Sequence, residues 1–210
     1  DYVDIDVDVH TLAEDMTRVG NEYDSAGKLL NATNLVIGEV IDCKMHPDSD
    51  HLHVCKVNVG NEVLNIVCGA KNARKGIKVI VALDGAVLPE KTIKRGMIRG
   101  EESNGMLCSM LELGLEHKYA DEVDRNGIHE LPADAPVGGD PLKYMQMDDE
   151  VVDFDLTANR GDLLSILGMA YELGAIYDKK VKPIDLTHGE NKEDINDSFK
   201  VEVNTENCSI

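Results

Sequence analysis

Between residues 35 and 108 the chain repeatedly alternates apolar and polar positions, the period of two that a β-strand imposes, and glycine interrupts the runs at short intervals. Residues 35–43 are rich in branched apolar side chains. Residues 54–59 alternate strictly and stop at Gly60-Asn61, a hairpin signal, before a second apolar run over 63–68. Residues 78–83 predict a further strand that ends at Asp84-Gly85. Two shorter runs follow, around 92–98 and 105–108.

The flanks carry a different rhythm. Residues 2–7 alternate, and Leu12, Ala13, Met16 and Val19 then recur at helical spacing before Gly20. A boundary is predicted near residues 31–34. Residues 114–126 read as an exposed acidic loop and 132–141 as a turn-rich connector. Residues 151–156 alternate as a strand. Residues 162–177 predict a helix, apolar at 163, 164, 166, 167, 170, 173 and 176, a face broad enough to predict deep burial. The fold class that results is α+β. A five-stranded OB-type β-barrel over 34–148 is inserted in a small split α/β domain formed by 1–33 and 149–185. Residues 186–210 read as the start of a following domain, with a strand over 199–203, so a piece of a longer protein is expected.

Composition narrows the function. The 210 residues include no Trp, two Phe and six Tyr, which predicts an aliphatic core and few surfaces on which bases could stack. No apolar run nears the roughly 20 residues of a membrane span and no signal peptide opens the chain, so a cytoplasmic location without membrane association is expected. Cys43, Cys55, Cys68, Cys108 and Cys208 are an odd set at irregular spacing, which predicts free thiols. The formal net charge is −19. Its distribution is uneven: residues 71–99 hold eight cations (Lys71, Arg74, Lys75, Lys78, Lys91, Lys94, Arg95 and Arg99) against Asp84 and Glu90 alone. Such a stripe on an acidic body suits contact with a phosphate backbone, although a solvated lysine-rich face has the same composition.

Other constellations carry less. Cys43, His46, His51, His53 and Cys55 crowd one stretch, but their spacing matches no usual zinc pattern and strand alternation is expected to scatter them over both faces. Cys68 lies in a strand without an orienting acid and reads as a core thiol. Residues 69–76 lack the Gly-Lys-Ser/Thr ending of a nucleotide loop. Residues 159–162 read as a helix N-cap with a carboxylate in the first turn. No metal site and no catalytic residue are predicted.

The run Arg99-Gly100-Glu101-Glu102-Ser103-Asn104-Gly105-Met106-Leu107-Cys108-Ser109 resembles the signature of tRNA-binding OB modules appended to aminoacyl-tRNA synthetases. His46-Pro47-Asp48-Ser49-Asp50-His51-Leu52, Ile66-Val67-Cys68-Gly69-Ala70 and the run over 79–89 fit the same module. The run over 153–165, from Asp153-Phe154-Asp155-Leu156 to Asn159-Arg160-Gly161-Asp162, is similar to the bacterial phenylalanyl-tRNA synthetase β-subunit family. Lys71, Ala158 and Gly161 depart from that pattern, where proline is expected. The resemblance implies an N-terminal, non-catalytic part of an α2β2 enzyme that attaches phenylalanine to tRNA with ATP and Mg2+. It implies tRNA and the α subunit as partners, no cofactor in this part, and aminoacylation and editing centres elsewhere. The expected RNA contacts are Arg74, Lys78, Lys94, Arg95, Arg99 and Ser103. A structural spacer with little RNA affinity and a free-standing tRNA-binding protein are the alternative readings.

Overall fold

The computed structural model describes residues 2–182, 184–187, 189 and 192–205. It divides into two compact units, Val7–Ala158 and Asp1–Asp6 with Asn159–Ile210. The larger unit opens with α1 (Val9–Arg18) and β1 (Glu22–Lys28). There follow β2 (Leu35–Met45), β3 (His53–Asn58), β4 (Val63–Cys68) and β5 (Lys78–Leu83). Three short strands come next: β6 (Gly96–Ile98), β7 (Glu101–Ser103) and β8 (Gly105–Cys108). The unit closes with α2 (Glu122–Asn126), β9 (Glu130–Leu131), α3 (Pro141–Tyr144) and β10 (Glu150–Asp155).

Asp8 starts α1 by accepting from the backbone N–H groups of His10 and Thr11, each at 3.1 Å, which satisfies donors a helix start leaves open. The helix buries Val9, Ala13 and Met16, its one apolar stripe. It lies against β1 and β10, which pair antiparallel from Glu22↔Asp155 to Lys28↔Glu150.

The main sheet is antiparallel, in the order β4-β3-β2-β5-β8, with β9 also pairing β5. Two features make it curl. The β2–β3 register shifts between Val40 and Asp42, and such irregularities strengthen the local twist. At the middle of β2, a Cβ on Gly38 would sit 2.6 Å from Val81 Cγ2 and 2.7 Å from Val57 Cγ1, so only glycine fits where neighbouring side chains close over the strand. At the far edge Val67 N donates to Ser103 Oγ (3.1 Å) and Asn104 N to Asn65 O (2.8 Å), which draws β4 against the β7–β8 segment. The result is a mixed α/β unit around a curled, half-barrel antiparallel sheet.

Both faces of the sheet are covered. Val40, Cys55, Val57, Ile66, Val79 and Val81 fill the concave side. Ile37, Ile80, Ala82 and Cys108 face outward beneath Leu88, Ile93, Leu113 and Leu131 from the connecting segments. β5, apolar at successive positions, is therefore buried on both sides, as a continuous apolar run requires.

The smaller unit holds a 3-10 turn (Gly161–Leu164), α4 (Ile166–Ile176) and α5 (Ile195–Ser198). Several expectations are corrected there. The long helix begins at Ile166, not 162, because Ser165 is its N-cap and accepts from Gly168 N at 3.0 Å. Asn159-Arg160-Gly161-Asp162 leads into the 3-10 turn and not into the long helix: Arg160 holds the N-cap position without a side-chain cap bond, Asp162 lies in the first turn, and Arg160 bonds Asp162 and Glu172, tying the turn to α4. Within the described residues the helix is not deeply buried, since only Ala170 and Gly174 of α4 are covered while Ile166 is 72% exposed. Residues 199–203 form no strand among the described residues, and neither do 2–7.

Candidate nucleic-acid interface

The residues of the sequence signature build a hairpin. β6 and β7 pair from Gly96↔Ser103 to Ile98↔Glu101, leaving Arg99 and Gly100 as a two-residue turn. Both have positive φ, +49° and +90°, the turn type whose twist matches paired strands. Glycine adopts that backbone freely, whereas Arg99 is held in it. The hairpin is tied down at its base and flank. Buried His46 accepts from Asp48 N through Nδ1 (3.0 Å) and bonds Ile98 O through Nε2 (3.1 Å). A carbonyl cannot donate and a backbone N–H cannot accept, so the proton of His46 resides on Nε2. Arg99 Nη1 donates to Asp48 O at 3.2 Å.

Beside the hairpin lies an open groove of about 810 Å³, with Lys94, Ile98, Ser103, Met106, Glu112 and Arg125 among its lining residues. Of the six expected contacts it brings together Lys94 and Ser103. Lys94 is exposed and in no ion pair among the described residues. Ser103 is 4% exposed, and its hydroxyl accepts from Val67 N and donates to Gly105 O (3.2 Å), which holds the groove wall in place. Arg95 is anchored to Asp84, through its backbone N–H at 2.8 Å and its Nε at 3.6 Å. Arg74 and Lys78 meet at β9 instead. Arg74 forms a two-pronged pair with Glu130, at 2.6 and 2.7 Å, while Lys78 Nζ donates to Ala135 O. Hydrogen bonding to Arg74 holds the Glu130 carboxyl below its ordinary range. Asn72 completes the clamp, bonding Ile128 through both N–H and C=O.

Sequence reasoning missed Arg125, which lines the groove and donates to His117 O at 3.2 Å. It sits on α2, inside the stretch read as an acidic loop. The signal was there: Asp121 caps the helix by accepting from Asp124 N, and Gly127 follows its end. The groove is not uniformly positive. Glu112 and Asp124 also line it, with Lys91 paired to Glu112 and His129 to buried Asp124.

Of the residues expected to scatter over both faces, Cys43, His53 and Cys55 do not. The register sets Cys43 opposite Cys55 and His53 opposite Cys68, and the two-residue spacing of 43 from 45 and of 53 from 55 keeps these side chains on one face of the sheet. Alternation within single strands had concealed this, because the residues belong to three of them. Among the described residues no group of three His, Cys, Asp or Glu side chains could hold a metal ion. Cys43, Cys55, Cys68 and Cys108 are free thiols, and Cys208 lies outside the described residues. Burial pushes the Cys108 thiol up to about 12, and that of Cys68 upward as well, as inert core thiols require. No helix among the described residues is long and apolar enough to cross a membrane.

The family described as "Putative tRNA binding domain" matches residues 35–140, which include β2 to β9 and the hairpin. The chain is 52% identical, over 84% of its length and 22% of the relative's, to the phenylalanine–tRNA ligase β subunit of Idiomarina loihiensis. It is 43% identical to that of Streptococcus pneumoniae, over 98% of its length and 26% of the relative's. The chain thus spans about a quarter of the length of these relatives.

Proposed function

The chain belongs to the tRNA-binding-domain family, and from that premise we propose that it contacts the tRNA backbone as a non-catalytic, N-terminal part of a phenylalanine–tRNA ligase β subunit. One observation carries the reading: the cationic segment 71–99 lies wholly within the family-matched residues, and its last members flank the groove and the hairpin turn. Lys94, Arg95 and Arg99 form the outer contact. Arg74 and Lys78, partly engaged by Glu130 and Ala135, extend it, and Ser103 fixes the wall behind it. Backbone strain at Arg99 supports the assignment, since a glycine there would be cheaper for folding alone. With few aromatic side chains, binding is electrostatic and weakly base-selective.

In this reading residues 34–148 close as a five-stranded OB-type barrel, inserted in a split domain of 1–33 and 149–185. The β1–β10 ladder with α1 on it supports that organisation. The parent enzyme is a cytoplasmic α2β2 assembly that joins phenylalanine to tRNA, with the α subunit as partner. ATP and Mg2+ belong in this reading to the parent enzyme, and residues 69–76, which lack the Gly-Lys-Ser/Thr ending of a nucleotide loop, are read as a basic turn. The spacer reading draws on a specific observation of its own, that Arg74, Lys91 and Arg95 already face Glu130, Glu112 and Asp84.

Fluorescence anisotropy of labelled tRNA against the chain at low salt tests the two readings. The Lys94→Glu/Arg95→Glu/Arg99→Glu variant is expected to lose at least tenfold in affinity. Equal binding by the variant and the parent chain would overturn the assignment, and absence of binding by both would leave a spacer.

A further inference from the structure

Cys43 and Cys55 face each other across β2 and β3, and their sulfurs are 3.5 Å apart. Directly opposed residues of an antiparallel pair have Cα atoms about 4.5–5.5 Å apart, inside the roughly 4.4–6.8 Å range of disulfides, so closing an S–S bond needs little more than side-chain rotation. The two thiols differ in access. Cys55 is fully buried, and its S–H donates to Cys43 Sγ; Cys43 is partly exposed and donates in turn to Ala73 O at 3.4 Å. We propose that this pair is a peroxide-sensitive modification site, at which a hydroperoxide converts the two thiols into a Cys43–Cys55 cross-strand disulfide.

The chemistry runs in two steps. The Cys43 thiolate attacks one oxygen of hydrogen peroxide, breaking the O–O bond, forming Cys43–SOH and releasing hydroxide. Cys55 then gives up its proton and attacks Cys43 Sγ, expelling a second hydroxide as the S–S bond forms. Two thiols lose two electrons, one peroxide gains them, and two waters result once the protons are counted. Burial, together with the hydrogen bond to Cys43, holds the Cys55 thiol above its ordinary range, so Cys43 meets the oxidant and Cys55 resolves the product. The other described thiols are less well placed: Cys68 stands opposite His53, and Cys108 belongs to the cluster on the other side of the sheet.

The chain itself provides a clean assay, because Lys44 and Lys56 put the two cysteines in separate tryptic peptides, residues 29–44 and 45–56. After treatment of the 210-residue chain with a few equivalents of hydrogen peroxide and alkylation of the remaining thiols, mass spectrometry is expected to find these two peptides joined, and released by reductant. Cys55→Ala should instead leave a Cys43 sulfenic acid that dimedone captures, and Cys43→Ala should abolish the linkage. Should Cys55→Ala fail to fold, Cys43→Ala with the parent digest decides alone. Both thiols unchanged, Cys43 over-oxidised without a link, or a bridge through Cys68, Cys108 or Cys208 would each overturn the proposal.

Discussion

A backbone like that of Arg99 costs an L-residue about 1–2 kcal/mol, so its neighbours must hold it there. Ser103 is one of the groups that does so, at the other end of the same hairpin. Replacing it with alanine strands the Val67 N–H in a buried site and is expected to cost about 1–3 kcal/mol, read as a lower urea midpoint at unchanged slope. That loss should appear without RNA. The Ser103 position also shows what a sequence can and cannot disclose. The signature drew attention to a hydroxyl in a basic neighbourhood, and the residue does line the groove. The partners of that hydroxyl, two backbone groups of which one lies 36 residues away, depend on how β4 meets β7 and leave no local trace. Arg74 follows the same logic. Its partner Glu130 is 56 residues distant, so a cation counted with the stripe proved to be half of a clamp. Because the folded-state Glu130 carboxyl is depressed, the stabilisation it supplies is present above the unfolded pKa and lost as pH falls through the folded one. Glu130→Gln should therefore flatten the acid limb of a stability-against-pH curve, read from urea midpoints across pH.

Elements were legible in proportion to how much of their signal was local. The alternation over 54–59 and 63–68 and the apolar run over 78–83 appear as β3, β4 and β5 with ends within a residue or two. The run around 92–98 did not appear whole: only Gly96–Ile98 is a strand, and it pairs with Glu101–Ser103, whose polar residues show no strand pattern. A three-residue ribbon is too short to be encoded by periodicity; its register comes from the Arg99-Gly100 turn. The helix over 162–177 failed differently, since its apolar positions were read correctly but their burial was inferred from breadth alone. Among the short elements the hairpin has a separate anchor in His46, and His46→Phe would keep the volume while removing both bonds. Amide exchange at residues 97–102 should then accelerate several-fold relative to β2, β3 and β5, measured by hydrogen–deuterium exchange mass spectrometry. Uniform acceleration across all of these strands would show that His46 supports the whole sheet and not the hairpin.

For the whole molecule the opposition is between a net charge of −19 and a cationic segment on one stretch of chain. Several of those cations are already paired, so few phosphates are neutralised on binding. Two to four phosphate contacts correspond to a slope of log affinity against log salt of roughly −2 to −4. A slope of about −7 in the same anisotropy titrations would mean that the exposed ion pairs open on RNA and every basic residue of the segment takes part. The β1–β10 ladder bears on the architecture in another way. Lys28 stands opposite Glu150, and Leu29 N still reaches Asp149 O at 2.9 Å, so the chain departs for its long excursion and returns at the same point. An excursion that leaves and re-enters through neighbouring residues is a cassette. Its contents can lengthen, shrink or be exchanged while the two bordering strands keep their pairing, because closure cost grows only with the logarithm of the insert's length. Such a doorway lets whatever lies between the two strands be acquired, refined or discarded without renegotiating the pairing that borders it.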